Sequence, residues 1–172
     1  MRISLLLTIF AVFMVSACGP ITYVPDPNRN PFEPITEFQS NNQLALKNNQ
    51  PSTRPVIVLD ALRDWTGDLQ AWTDAAIQIT TRELSKRGMT ITDGAEKSLA
   101  LKVVSARTTP GTWAVETVIT MEVTRADGRK NRYQGRNKSG FSANIPRQID
   151  GALMRAVNAM LNDQDLVAHI TE

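Results

Sequence analysis

At 172 residues the chain is long enough to bury one sizeable core, and its 19 basic and 17 acidic side chains leave a net charge of only +2. That near-neutrality excludes a general electrostatic attraction to nucleic acid. A single cysteine excludes a disulfide within the chain, and a single histidine, His169, excludes histidine triads and multi-histidine metal sites.

The chain begins with one positive charge, Arg2, then the apolar run "ISLLLTIFAVFMV" (residues 3–15), then small residues. This is the layout of a secretory signal, and it is shorter than the ~20 apolar residues that span a bilayer. Val15, Ser16, Ala17 and Cys18 resemble a bacterial lipobox, an aliphatic residue and two small ones ahead of a cysteine. The resemblance implies a signal peptide over 1–17 and an acylated Cys18, giving a protein anchored to membrane lipid without spanning the membrane. Gly19 stands where lipoproteins retained at the inner membrane carry aspartate, so the resemblance favours the outer membrane and its periplasmic face. An ordinary signal peptide cut near Ala17 is the alternative, and it leaves an unpaired thiol in an oxidising compartment.

Seven of the nine prolines (Pro20, Pro25, Pro27, Pro31, Pro34, Pro51 and Pro55) lie between residues 20 and 55, interleaved with asparagine. Residues 18–54 therefore read as an extended tether, with a short edge strand at Gln43–Asn49, and residues 55–172 as the folded domain. "PVIVLDA" predicts a buried strand over 55–61. Leu69, Trp72, Ala76 and Ile79, with a cap at Asp68 and a stop at Gly88, predict a helix over 68–87. "MTIT" and the turn-like "DGAEKS" lead to a strand with Leu99, Leu101 and Val103 on one face, and "TTPG" marks a hairpin. Trp113, Val115, Thr117, Ile119, Met121 and Val123 then alternate with Glu116, Thr120, Glu122 and Thr124, as in a half-exposed antiparallel strand. "ADGR" turns into a charged strand over 130–137. Ile149, Leu153, Val157 and Met160 predict a helix over 146–162, followed by a turn or two after a cap at Asp163. The expected fold is α+β, an antiparallel or mixed sheet of about four strands with two helices on one face.

The lipobox, the proline-rich segment, "LSKRG" (84–88), the long hairpin and "MLNDQDL" (160–166) together resemble small periplasmic lipoproteins of the YajG type. More distantly, they resemble lipoprotein partners of envelope assembly machines. Such proteins serve mostly as accessory components, so the resemblance implies no catalytic residues.

Several residues are candidates for chemistry. Asp26, Asn28, Asn30 and Glu37 have calcium-loop spacing, but Pro31 stands where the loop needs glycine, so no metal site is expected. Asp60 and Asp64 at a strand end, or Glu83 on the helix stripe, would have to supply paired carboxylates for a cell-wall glycan hydrolase. His169 reads as a residue of a helix C-terminus. Trp65 is divided between core edge and recognition anchor, whereas Trp72 belongs to the core. "RKNRYQGRNK" (129–138) groups Arg129, Lys130, Arg132, Arg136 and Lys138 around Tyr133, either as a charged edge that blocks aggregation or as a contact for an envelope protein or anionic envelope polymer. No cofactor is expected. The leading expectation is a non-catalytic accessory or structural binding module of the envelope. The alternatives are the hydrolase and a lipid or small-molecule carrier with an apolar pocket between helix and sheet.

Overall fold

A computed structural model describes residues 20–51, 55–59, 64–140 and 144–172. In chain order the elements are β1 (Ile21–Tyr23), β2 (Gln43–Asn48), β3 (Pro55–Leu59), β4 (Trp65–Asp68), α1 (Leu69–Ser85), β5 (Thr90–Ile91), β6 (Ser98–Pro110), β7 (Ala114–Arg125), β8 (Lys130–Gly140), α2 (Ile145–Leu161) and α3 (Gln164–Thr171). The fold is α+β, with more strands than expected. They form a three-stranded sheet ordered β1-β4-β3 and a five-stranded sheet ordered β5-β2-β6-β7-β8.

Two long antiparallel ladders, β6 with β7 and β7 with β8, carry the larger sheet. Their inner residues, including Leu99, Leu101, Ile119 and Met121, are fully buried beneath α1 and α2. α1 begins where the Asp68 carboxylate accepts the Gln70 N–H at 2.9 Å and stops at Gly88, whose φ of +88° suits only glycine without strain. Its stripe Trp72, Ala76 and Ile79 is 0–1% exposed, and the stripe Ile149, Leu153, Val157 and Met160 of α2 is fully buried. Both helices cover one face of the sheet. The Asp163 carboxylate caps α3 by accepting from Asp165 N–H at 3.0 Å.

β6 carries a bulge between Val103 and Ser105 that skips Val104. Val103 itself pairs with Met121 on β7, but β2 pairs with β6 only as far as Leu101, so Val103 has no strand partner on its other side. The helix supplies one partner: Thr73 Oγ1 accepts the Val103 N–H at 3.0 Å while its own hydroxyl donates to Leu69 O. The buried Gln50 amide donates to Val103 O at 2.6 Å. Thr73→Val keeps the shape and orphans that N–H, so the unfolding free energy should fall by about 1–3 kcal/mol in urea titration, and an unchanged midpoint would dismiss the bridge.

The proline-rich segment is the largest departure from expectation. Instead of standing apart, residues 20–51 lie along the domain. β1 pairs in parallel with β4, and Trp72 Nε1 donates to Tyr23 O at 2.8 Å. The chain then follows α2, with Asn158 Nδ2 donating to Glu33 O at 2.9 Å and Asn162 Oδ1 accepting from Thr36 N–H at 2.8 Å, and Ile35 enters the core. The missed signal is the spacing of Phe32, Ile35 and Phe38, because every third residue of a polyproline-like chain returns to one side. Proline forbids helix and central strand there, yet leaves an extended chain free to dock through its own carbonyls.

Nor is the strand at 43–48 an edge. β2 lies between β5 and β6, parallel to both, and Leu44 and Ala45 are 0–1% exposed. Trp113, expected to face inward with Val115, lies in the turn before β7 and is 85% exposed.

Candidate binding face

The outward face of β6, β7 and β8 has no helix over it, and the ladders align its side chains in rows. Arg107 and Arg136 flank Val118, Thr109 and Lys138 flank Glu116, Lys102 and Arg132 flank Glu122, and Lys130 lies opposite Thr124. Glu122 is held below the usual carboxylate range mainly by a hydrogen bond from Arg132, against opposing desolvation and aided by the charges of Lys130, Arg132 and Lys102. Its Oε2 lies 3.0 Å from Arg132 Nη2 and its Oε1 3.7 Å from Lys130 Nζ. Among the described residues, Lys102, Arg107, Arg136 and Lys138 enter no ion pair, so the face presents uncompensated positive charge to solvent.

This face differs from the cluster expected around residue 133. Because side chains alternate along a strand, Lys130, Arg132, Arg136 and Lys138 point outward while Tyr133 points inward. Tyr133 is 8% exposed and donates to Asp163 Oδ2 at 2.6 Å, and burial pushes its hydroxyl well above the ordinary tyrosine range. Arg129 leaves the strand at the β7–β8 turn and faces Asp127 at 3.4 Å and Asp165 at 4.0 Å. Trp65 belongs to the smaller sheet, half-buried and edge-on to Tyr23 at 6.3 Å. In their place β6 contributes Lys102 and Arg107, which a reading of residues 129–138 alone could not include.

The carboxylates expected for hydrolysis do not assemble among the described residues. Cys18 and Asp60 lie outside those residues, and Asp64 precedes β4. Glu83 is 3% exposed near the far end of α1, about 20 Å along the helix from the Asp68 cap. Lys86 Nζ and Arg82 Nε lie 2.9 Å and 3.0 Å from its Oε1, and Arg87 Nη1 lies 3.6 Å from its Oε2. Burial raises its pKa, but the hydrogen bonds and charges of Lys86 and Arg82 outweigh that and hold it low. A carboxylate so paired is poorly suited to donate a proton.

The calcium-like positions are likewise engaged separately: Arg82 donates to Asn28 Oδ1 at 2.9 Å and Asn30 donates to Arg147 O at 3.3 Å. No group of three or more acidic, histidine or cysteine residues able to hold a metal occurs among the described residues. His169 lies in the last turn of α3, as expected, with Nε2 buried and unpartnered.

The region between helices and sheet, where a carrier would need an apolar pocket, is filled by fully buried side chains such as Trp72, Leu101 and Leu153. A groove of about 600 Å³ lies outside that core, lined by polar residues such as Asn30, Ser139, Arg147 and Arg155 together with Pro31 and Met154.

The buried Asp150 ties the N-terminal segment to α2. It accepts from Tyr23 OH at 2.6 Å and from Asp26 N–H at 3.0 Å, with Arg29 Nε 3.3 Å from its second oxygen. Burial nevertheless raises its pKa above the usual aspartate value.

No family model matches the chain, and no curated protein matches it. Among solved structures, a Xanthomonas campestris protein of the family DUF330 is similar at 14% identity, over 89% of this chain and 94% of that one, with a TM-score of 0.47. A minor lipoprotein from Acinetobacter baumannii is similar at 13% identity, over 77% of this chain and 92% of that one, with a TM-score of 0.36. Likenesses this distant carry no residue role, ligand or location across. Among the described residues no helix is long and apolar enough to cross a membrane.

Proposed function

We propose that this chain is an outer-membrane-anchored periplasmic lipoprotein, held by an acylated Cys18, that serves as a non-catalytic accessory or structural binding module in envelope assembly or maintenance. The observation that carries the binding role is the uncovered basic face. One side of the five-stranded sheet is sealed by two helices, while the other offers Lys102, Arg107, Arg136 and Lys138, which have no ion pair among the described residues. An anionic partner in the envelope matches that charge, and blocking edge-to-edge aggregation would not need cations on β6, which is an interior strand.

The test compares cells making wild-type protein, Cys18→Ala, and a variant with Arg107, Arg136 and Lys138 all changed to Glu. Labelled palmitate should enter the wild type and be lost in Cys18→Ala. Envelope components captured with the wild type should be lost in the reversed variant. Identical capture from both would remove the basic face from the binding role, and palmitate retained in Cys18→Ala would overturn the anchor.

A further inference from the structure

We propose that the end of the domain bearing the β6–β7 hairpin rests against the bilayer, with Trp113 seated among the lipid head groups. This deepens the anchored reading above and depends on it for orientation. β6 and β8 both run toward that hairpin, so Pro110, Ala114 and Gly140 share one end of the sheet. α2 starts just after Gly140, at Ile145. The N-terminal segment meets the domain on the first two turns of that helix, with Tyr23 and Asp26 bonded to Asp150 and Asn30 to Arg147 O. Cys18 precedes Tyr23 by five residues, a reach of roughly 17 Å when fully extended, so a lipid attached to it starts near this same end.

The chemistry of that end fits a membrane surface. Trp113 is 85% exposed, whereas Trp72 is fully buried and Trp65 is half-buried against Tyr23. Tryptophan combines a large apolar ring with an N–H donor and favours the membrane–water interface over either bulk phase. Lys138 lies two residues from the end of β8, Arg107 three from the end of β6, and Arg147 in the first turn of α2. None of the three has an ion pair among the described residues; the nearby acids are Glu116, opposite Lys138, Glu33, which lines a groove with Arg147, and Asp26 and Asp150, which face Arg29. Each such cation near an anionic leaflet favours association by about fivefold. Val24, 52% exposed, adds a smaller apolar group beside the anchor segment. The occupant that meets both an exposed indole and a set of free cations, at the end where a lipid-bearing residue emerges, is a bilayer with anionic phosphate head groups.

The experiment uses protein purified from membranes and reconstituted into vesicles of phosphatidylethanolamine and phosphatidylglycerol, with bromine on the acyl chains near the head groups to quench nearby tryptophans. Wild-type fluorescence should be quenched, and the quenching should fall by at least half in Trp113→Phe. It should also fall in Lys138→Glu and in vesicles of phosphatidylcholine alone. Trp113 lies in an exposed turn, so the thermal midpoint of Trp113→Phe should match the wild type. Quenching that is absent, or unchanged in Trp113→Phe, overturns the docking, including the case where the basic end captures an envelope protein and ignores lipid. Intact mass on the same sample separates the two readings: an acylated Cys18 without Trp113 quenching defeats the docking alone, and an unmodified Cys18 defeats the anchor.

Discussion

Gly135→Ala is expected to be the most damaging single-methyl addition in the larger sheet, lowering the unfolding free energy by about 3 kcal/mol or more, or preventing folding outright. A Cβ built at Gly135 overlaps Ala152 O and Ala156 N, both backbone atoms of α2. A flexible side chain could swing aside, but a helix backbone can only be pushed off the sheet. With it would go the burial of Ile149, Leu153 and Val157, all now fully buried. Gly140→Ala is the control, since a Cβ there meets nothing within 4 Å among the described residues, and its unfolding free energy should stay within about 0.5 kcal/mol of the wild type. A Gly135→Ala protein with a wild-type midpoint would mean that α2 does not sit on β8 in this way.

The second large effect lies at Asp150, whose two simplest replacements should diverge. Asp150→Ala leaves Tyr23 OH and Asp26 N–H without their acceptor, and a loss of about 2–4 kcal/mol is expected, together with faster proteolysis before residue 42. Asp150→Asn keeps an oxygen for both donors and removes a buried charge, so it should remain near or above wild-type stability at pH 7. The pH dependence follows from the direction of the shift. Because the folded pKa is raised, folding favours the protonated acid. That contribution is fully present below the ordinary aspartate range and is lost as pH rises through the folded value. The stability advantage of Asp150→Asn over wild type should therefore shrink as pH falls from 7 toward 4, and a gap that widens over that window would contradict a desolvated Asp150. Measured alone, the wild type reflects opposing groups as well, since Glu83 and Asp163 are held low and lose stability as pH falls.

The elements that were legible in the sequence are those whose pattern is local. α1 was readable because Trp72, Ala76 and Ile79 repeat at helical spacing between a capping Asp68 and Gly88. β7 was readable because Val115, Ile119, Met121 and Val123 alternate with Glu116, Thr120, Glu122 and Thr124, and burial follows that alternation along all of Ala114–Arg125. The three-stranded sheet was not, because β1 has three residues and β4 four, too few to establish a period, and β1 pairs in parallel with a strand over forty residues away. The basic face was half legible. Its β8 cations were visible as a cluster, and the alternation that turns Tyr133 and Gly135 inward was also in the sequence, had the strand been read with period two. Lys102 and Arg107 were hidden by the bulge after Val103, which brings residues an odd number apart onto one face.

The docking of the proline-rich segment also sets how far the protein can act. With Trp72 and Asp150 holding Tyr23, and Cys18 acylated as proposed, only residues 19 and 20 separate the lipid from the start of β1 at Ile21, a span of about 10 Å. A domain moored so closely sweeps a thin layer of the periplasm rather than a wide volume. Its partners must come to the membrane, and in return it meets them at high local concentration and in a restricted orientation.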